Sequence, residues 1–371
     1  MAVPESFGGV IALKNIFFIS ILLFNIIFGG NAFDDGISFE EKVIATESGS
    51  EKAYVIIADP KNPELSIKPV LSFDQIFGFE TLDVMAKKNL ALAGINGGFF
   101  HSYGQPVGQV VIDGEWIAMP TGQNPVFVID SLGKPHLVPV KAKAYVAVGG
   151  EKFYLDGFNR FGSSREAILY TPRYGTSTRQ KPQGANIIIS RGKVRDIVTG
   201  SYVQIPPETC VLYIGTDSSI KKTILGKIRE GMEVKTGFDV DFPRLEPHEI
   251  KNAMEAGPFL IKEGKSVIKR WEPGIGLTTI PMARSAIGIT EDEKVVLVTV
   301  EGSGPGRGIS LKKLSDFLLQ MGVKQAAALD GGASATMYYN GRIVNKPSGG
   351  RARPLGGGIM IIRRSDRNVE Y

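Results

Sequence analysis

The sequence predicts an α+β fold: a strand-rich mixed sheet with a few helices, in a single compact catalytic-type domain. Three observations predict it. Short apolar or alternating runs recur along the chain between glycine, proline and asparagine breaks, as in AYVIIADP and PVFVIDSLGKPHLVPV. The 45 glycines and 21 prolines among 371 residues favour many turns over a helical bundle. Two segments, 81–89 and 309–322, carry amphipathic helical spacing instead. At 43% hydrophobic and 22% charged the chain can bury a large core. No repeat period and no low-complexity linker interrupts the pattern, so one domain is expected.

The elements follow in order. Lys14 precedes IFFISILLFNIIF at 16–28, an apolar run of 13 residues that suits a signal-peptide core and is short for a membrane span. Cleavage after Ala32 satisfies the small-x-small rule, so residues 1–32 are expected to be a signal peptide, with an uncleaved anchor as the alternative. The body would then be secreted or periplasmic, and would touch a membrane only through an uncleaved segment. Residues 33–79 hold a polar, acidic lead-in over 33–52 that is expected to pack poorly, and the first strands, AYVIIADP and LSIKPVL, with Pro60 and Pro63 marking the turn. In helix 81–89, Leu82, Met85 and Ala86 share one face. LALAGINGGFF is a buried strand ending in a glycine break. Hairpins turn at Asp113-Gly114 and near Gly133. Residues 140–250 hold short strands such as AYVAV, ANIIIS, KVRDIV and CVLYIG. AMEAGPFLIKEGKSV, MARSAIGIT and KVVLVTV follow as strands. Next come the loop GSGPGRG and a helix with Leu311, Leu314, Phe317, Leu318 and Met321 on one stripe, capped by Ser310 and ended by Gly322. AALDGGASATMYYNG, GRIVNKPSGGRARPLGGGIMI and a polar tail at 364–371 close the chain.

Composition removes several function classes. Net charge is +5, from 43 basic and 38 acidic residues, without a basic run long enough for a nucleic-acid groove. A mild positive excess suits an anionic substrate. The lone Cys210 cannot form an internal disulfide or a cysteine-based zinc cluster, and reads as a small buried hydrophobe. His101, His136 and His248 lack metalloprotease spacing. No cofactor is expected, and the residues leave a metal requirement open.

Two turns share one design. Asn96 and Asp330 each end a small-residue strand, and two glycines follow each: Gly97 and Gly98, Gly331 and Gly332. Glycine there lets backbone N–H groups approach a ligand. Asp330 can act as nucleophile, base or metal ligand, and Ser334 can donate to a phosphate or sugar oxygen. In GSGPGRG, free N–H groups at a helix start and Arg307 favour an anion. The loop matches neither a Walker sequence nor a dinucleotide fingerprint. Arg284, Arg307, Arg351 and Arg353 lie beside glycine loops and strand ends, which suggests an anion pocket. Glu255 and Glu301 join Asp330 as acid–base candidates, since glycoside cleavage commonly uses a pair of carboxylates.

INGGFF, EAGPFLIKEGK, ARSAIGIT, LDGGASATM and VNKPSGGRARPLGGG occur in one order. Together they resemble the phosphodiester glycosidase family, as does ILYTPRYGTST, and the likeness runs from about residue 80 to 363. The resemblance implies hydrolysis of a sugar-1-phosphodiester at its glycosidic bond. It carries site roles onto Asn96 and its glycines, Arg284, Asp330, Gly331, Gly332, Ser334 and Arg353, with a glycan or glycosyl phosphate as partner. There are departures. Ala333 replaces a family glycine, so its methyl is expected to crowd a ligand. Ala256-Gly257-Pro258 replaces Gly-Gly-Pro. Glu301 stands where Asp-Gly-Arg is common, with Arg307 six residues later. An exported hydrolase of surface polysaccharide or cell-envelope polymers is the first expectation. A non-catalytic glycan- or polymer-binding protein and a structural partner in exopolysaccharide export are the alternatives.

Overall fold

In the computed structural model, residues 36–47, 49–242, 245–304 and 306–364 are described. The expected signal segment and nearly all of the expected polar tail lie outside them. No helix of the described residues is long and apolar enough to cross a membrane.

Four layers position the site. The inner two are sheets. One has seven strands, in the order Ile37–Thr46, Gly49–Ala58, Val295–Val300, Arg284–Thr290, Val323–Ala328, Phe259–Lys262 and Lys265–Ser266. The other has five: Arg342–Ile343, Met337–Tyr339, Ala91–Asn96, Gly357–Arg363 and Leu65–Leu71. Side chains alternate across each sheet. Ile56, Ile287 and Leu297 of the first meet Ile67, Ile95 and Ile359 of the second in one buried cluster. The opposite faces carry the helices. Leu311, Leu314 and Leu318 pack with Val55, Ala286 and Val298. Leu82, Met85 and Ala86 pack with Val70, Tyr338 and Met360. Both predicted helices form, as Leu82–Lys88 and Leu311–Gln320. Ser310 Oγ accepts from the Lys313 N–H at 3.1 Å, and Gly322 adopts φ +79° beyond the helix end. Ser310→Ala should therefore cost about 1 kcal/mol of stability in urea unfolding.

A further five-stranded sheet, containing Val110–Ile112 and Ile250–Glu255, joins the central cluster through Val110, Phe127 and Met254. Asp113 and Gly114 have positive φ at the predicted hairpin turn. Residues 140–250 form short strands, in a three-stranded and a five-stranded sheet around a second core, and also a helix that the strand pattern did not predict, Lys221–Lys227, with Ile224 buried in that core.

The fold is more strongly β than α+β and a mixed sheet imply. Among the described residues the strand pairs are antiparallel except Gly157–Phe158 with Ala167–Tyr170. One crossover stands out: Val295–Val300 leads through the Leu311–Gln320 helix to Val323–Ala328, and both strands flank Arg284–Thr290 antiparallel. The acidic lead-in is a second difference. Ile37–Thr46 pairs along its whole length with Gly49–Ala58, whose apolar residues bury against Val295–Val300. Burial of Ile37 and Ile44 holds that strand in spite of its charges. The strands Ile37–Thr46, Gly49–Ala58 and Leu65–Leu71 are thus woven into both sheets, since Leu65–Leu71 pairs with Gly357–Arg363.

Candidate active site at the Asp330 turn

The Asn-Gly-Gly and Asp-Gly-Gly turns abut. Asp330 N–H donates to the Gly97 carbonyl at 3.2 Å, and Asn96 Nδ2 donates to the Asp330 carbonyl at 2.7 Å. Asn96 is fully buried and uses all four hydrogen-bonding positions. Nδ2 also donates to the Gly97 carbonyl at 3.1 Å, while Oδ1 accepts from Ser285 Oγ at 2.7 Å and Thr336 N–H at 3.1 Å. The family resemblance gives Asn96 a site role. The structure makes it a clamp that fixes the backbone of Asp330. Asn96→Ala would strand the Asp330 carbonyl and the Thr336 N–H, so we expect a loss of about 3 kcal/mol in denaturant unfolding.

Gly97 and Gly98 serve packing. A Cβ on Gly97 would stand 2.8 Å from Met254 Sδ, and one on Gly98 2.2 Å from the Glu255 carbonyl. The strand Ile250–Glu255 can approach only because both are glycine. Gly97 N–H is occupied as well, donating to the Gly357 carbonyl. A Cβ on Gly331 would lie 3.0 Å from the Ala283 carbonyl. Gly332, at φ +58°, faces open space there. Ala333 is exposed on this turn, so its methyl has room on the rim.

Asp330 is half-buried. Burial raises its carboxyl above the ordinary range, opposed by the Ser334 hydroxyl, the Arg353 charge and the Gly331 N–H. Ser334 is fully buried, and its Oγ accepts from Arg353 Nη1 at 3.1 Å. Arg353 is exposed and stacks over Phe100 with its guanidinium carbon 5.2 Å from the ring centroid. Phe100 also lines a small open cleft with Gly97, Gly98, Glu255 and Gly357.

Arg284 reaches the turn from the other face of its strand, where its neighbour Ala286 packs in the helix-side core. Its guanidinium donates to the Ile309 carbonyl at 3.2 Å and the Ile280 carbonyl at 2.8 Å. A Cβ on Gly331 would lie 3.9 Å from its Nη1. Arg284 is 6% exposed, and burial alone lowers its pKa to about 10, so it stays charged at neutral pH. No ion pair with a carboxylate of the described residues satisfies it.

Three expected site residues are engaged elsewhere. Glu255 is buried, and both its oxygens accept from the protein: Oε2 from Gln109 N–H at 3.2 Å and Thr121 N–H at 2.8 Å, Oε1 from Thr121 Oγ1 and from Asn124 Nδ2 at 3.1 Å. It is a structural acceptor at the wall of the cleft. Glu301 Oε1 accepts from Tyr54 Oη at 2.9 Å and Lys346 N–H at 2.6 Å, tying two segments together. Arg307 pairs through Nε with Glu51 at 2.9 Å, and Gly308 N–H donates to the same carboxylate at 2.9 Å. The anion predicted for GSGPGRG is thus the chain's own Glu51, 5% exposed. Sequence reading missed Ser285 and Thr336, which complete the Asn96 clamp. Their only local signal is a position beside Arg284 and two residues after Ser334. Among the described residues no group of three or more histidine, cysteine or acidic side chains could hold a metal.

Residues 182–362 match the family model described as phosphodiester glycosidase. This stretch is shorter than the motif resemblance, and leaves INGGFF and ILYTPRYGTST outside. Over 66 residues the chain is 42% identical to the N-acetylglucosamine-1-phosphodiester alpha-N-acetylglucosaminidases of Bos taurus and Homo sapiens. That segment is 18% of this chain and spans only 12% and 13% of those relatives. Solved structures share the fold. A hypothetical protein from Synechocystis has a TM-score of 0.76 at 20% identity, covering 89% of this chain and 62% of that one. A putative exported protein from Burkholderia pseudomallei has 0.67 at 18%, covering 84% and 74%. The zebrafish N-acetylglucosamine-1-phosphodiester alpha-N-acetylglucosaminidase catalytic domain, auto-inhibited by its pro-peptide, has 0.52 at 17%, covering 88% and 83%. At these identities the structures speak for the fold, and the family model shows a likeness to the phosphodiester glycosidase family over residues 182–362, just under half of the chain.

Proposed function

We propose that the chain hydrolyses the glycosidic bond of a sugar-1-phosphodiester, releasing the sugar and a phosphomonoester. The observation that carries this reading is Arg284, a buried guanidinium beside the turn that holds Asp330 and, among the described residues, without a carboxylate partner. An uncompensated buried charge is unfavourable until a counter-charge arrives. A phosphodiester supplies one, and guanidinium geometry suits it.

The chemistry fits a single acid. An alcohol leaving group calls for a proton, which is why glycosidases commonly carry two carboxylates. A phosphomonoester leaves as a stable anion and calls for positive charge instead. Arg284 provides that charge in a desolvated setting. Asp330 then acts at the sugar carbon, as nucleophile or as base for water. Ser334 and Arg353 hold the carboxylate in place. Asn96 positions it through the backbone. The apolar run 16–28 supports export, and with it a substrate in surface polysaccharide or the cell envelope.

The test is direct. Purified chain incubated with N-acetylglucosamine 1-(methyl phosphate), and with the glucose analogue, should release reducing sugar and methyl phosphate in equal amounts. Absence of turnover on every sugar-1-phosphodiester tried would refute the reading. A non-catalytic glycan-binding role is the second reading, favoured by the structural use of Glu255 and Glu301. It predicts saturable binding of the same compounds without product.

A further inference from the structure

We infer that an exposed aromatic surface beside the Asp330 turn binds successive sugar rings of a glycosyl-phosphate polymer, which rests on the phosphodiester glycosidase reading above. Single exposed aromatic rings are ordinary, but a contiguous group calls for a reason. Phe79, Tyr103 and Phe161 are 37%, 38% and 43% exposed. Tyr103 meets Phe161 edge-on at 5.3 Å, and both touch Phe77, at 5.7 and 5.8 Å. His101 stacks on Tyr103 at 5.3 Å, and Phe79 meets Phe100 at 5.7 Å.

The backbone builds this surface. Gly78 N–H donates to the Tyr103 carbonyl at 3.1 Å, which seats two loops side by side. A Cβ on Gly104 would stand 2.1 Å from the Gly78 carbonyl, so the loops meet only with glycine there. The surface is also continuous with the candidate site. Arg353 stacks on Phe100 and donates to Ser334, whose hydroxyl holds Asp330. A second cation, Arg179, lies over Phe77 at 4.2 Å.

Aromatic faces interleaved with guanidinium groups describe a ligand that alternates rings with anions. The C–H face of a pyranose fits the negative face of an aromatic ring, and a phosphodiester fits a guanidinium. Single-stranded nucleic acid shows the same alternation. A surface leading into a glycosyl-phosphate site favours the carbohydrate polymer, in which each repeat carries the bond that site would cleave.

The experiment compares chain lengths. Asp330→Asn protein, whose turnover should be about a thousand-fold lower, is titrated calorimetrically with one-repeat and six-repeat hexose 1-phosphates joined 1→6, each closed at its terminal 1-phosphate as a methyl diester. The six-repeat ligand should bind at least ten-fold more tightly. Adding Phe79→Ala, Tyr103→Ala and Phe161→Ala should reduce that advantage below three-fold and leave one-repeat binding unchanged. Equal binding of both lengths, or an advantage that survives the three substitutions, overturns the inference. So does equal competition by a single-stranded oligonucleotide of the same charge, which would mark a general polyanion surface. Should the triple variant fail to fold, the Tyr103 ring resonances of the Asp330→Asn protein provide the readout. They should shift with the six-repeat ligand and stay fixed with one repeat, and a fixed ring in both cases overturns the inference. Turnover of the one-repeat ligand by unsubstituted protein tests the function separately, so failure of either stands apart.

Discussion

Replacing Asp330 by asparagine should lower turnover of a sugar-1-phosphodiester by about a thousand-fold, in the range expected for loss of a positioned acid–base or nucleophilic group. The substitution keeps the size of the side chain and its neighbours Ser334 and Arg353. Asn96 and Gly97 hold residue 330 through its backbone, which the substitution does not alter. The fold should therefore persist. Stability should in fact rise at neutral pH. Burial raises the folded-state pKa of Asp330 above its unfolded value, so the folded state favours the protonated form. A carboxyl of this kind adds stability below its unfolded pKa, and that contribution is lost as pH rises through the folded value. At neutral pH the ionised group is a burden that asparagine removes, and the gain should fade in acid. Activity needs the ionised form, so the rate should climb through a pKa above the usual carboxylate range. Thermal melts and pH–rate profiles of both proteins check these points together.

The second large effect is expected at Arg284. Arg284→Met should reduce kcat/KM by about a hundred- to a thousand-fold, the range seen when one electrostatic contact to a developing anion is removed. Stability should stay level or increase at neutral pH. The guanidinium is buried without a carboxylate partner among the described residues, and burial depresses its pKa to about 10. A depressed pKa on a base means that the charged form is disfavoured by folding, so an apolar side chain of similar length relieves the molecule. Loss of activity with a gain in melting temperature separates an anion site from a structural arginine. A structural arginine would lose both.

Much of this architecture can be read from residue patterns, because local spacing governs it. The helix stripe of Leu311, Leu314 and Leu318 and the Asp113-Gly114 turn depend on near neighbours. So does the strand end at Asn96. What spacing conceals is which distant group satisfies which. Glu255 looked like a free acid until Thr121, Asn124 and Gln109, over a hundred residues away, took up both its oxygens. Arg307 looked like a phosphate ligand until Glu51 met it across the sheet edge. The acidic segment 37–46 looked unpacked because its partner strand, not its own charge pattern, decides its fate. The pairing of the Asn96 and Asp330 turns was visible as a shared motif, but their contact and the buried Ser285 that completes it come only with the fold.

The central claim is that Asp330 and Arg284 serve cleavage at the sugar carbon, with phosphate as the leaving group. The most direct measurement is turnover of a sugar-1-phosphodiester in water enriched in ¹⁸O, followed by mass spectrometry of both products. The account predicts the label on the anomeric hydroxyl of the sugar and none on the phosphomonoester, because the bond from sugar carbon to bridging oxygen breaks. Label on the phosphate would place the attack at phosphorus, and would contradict the account.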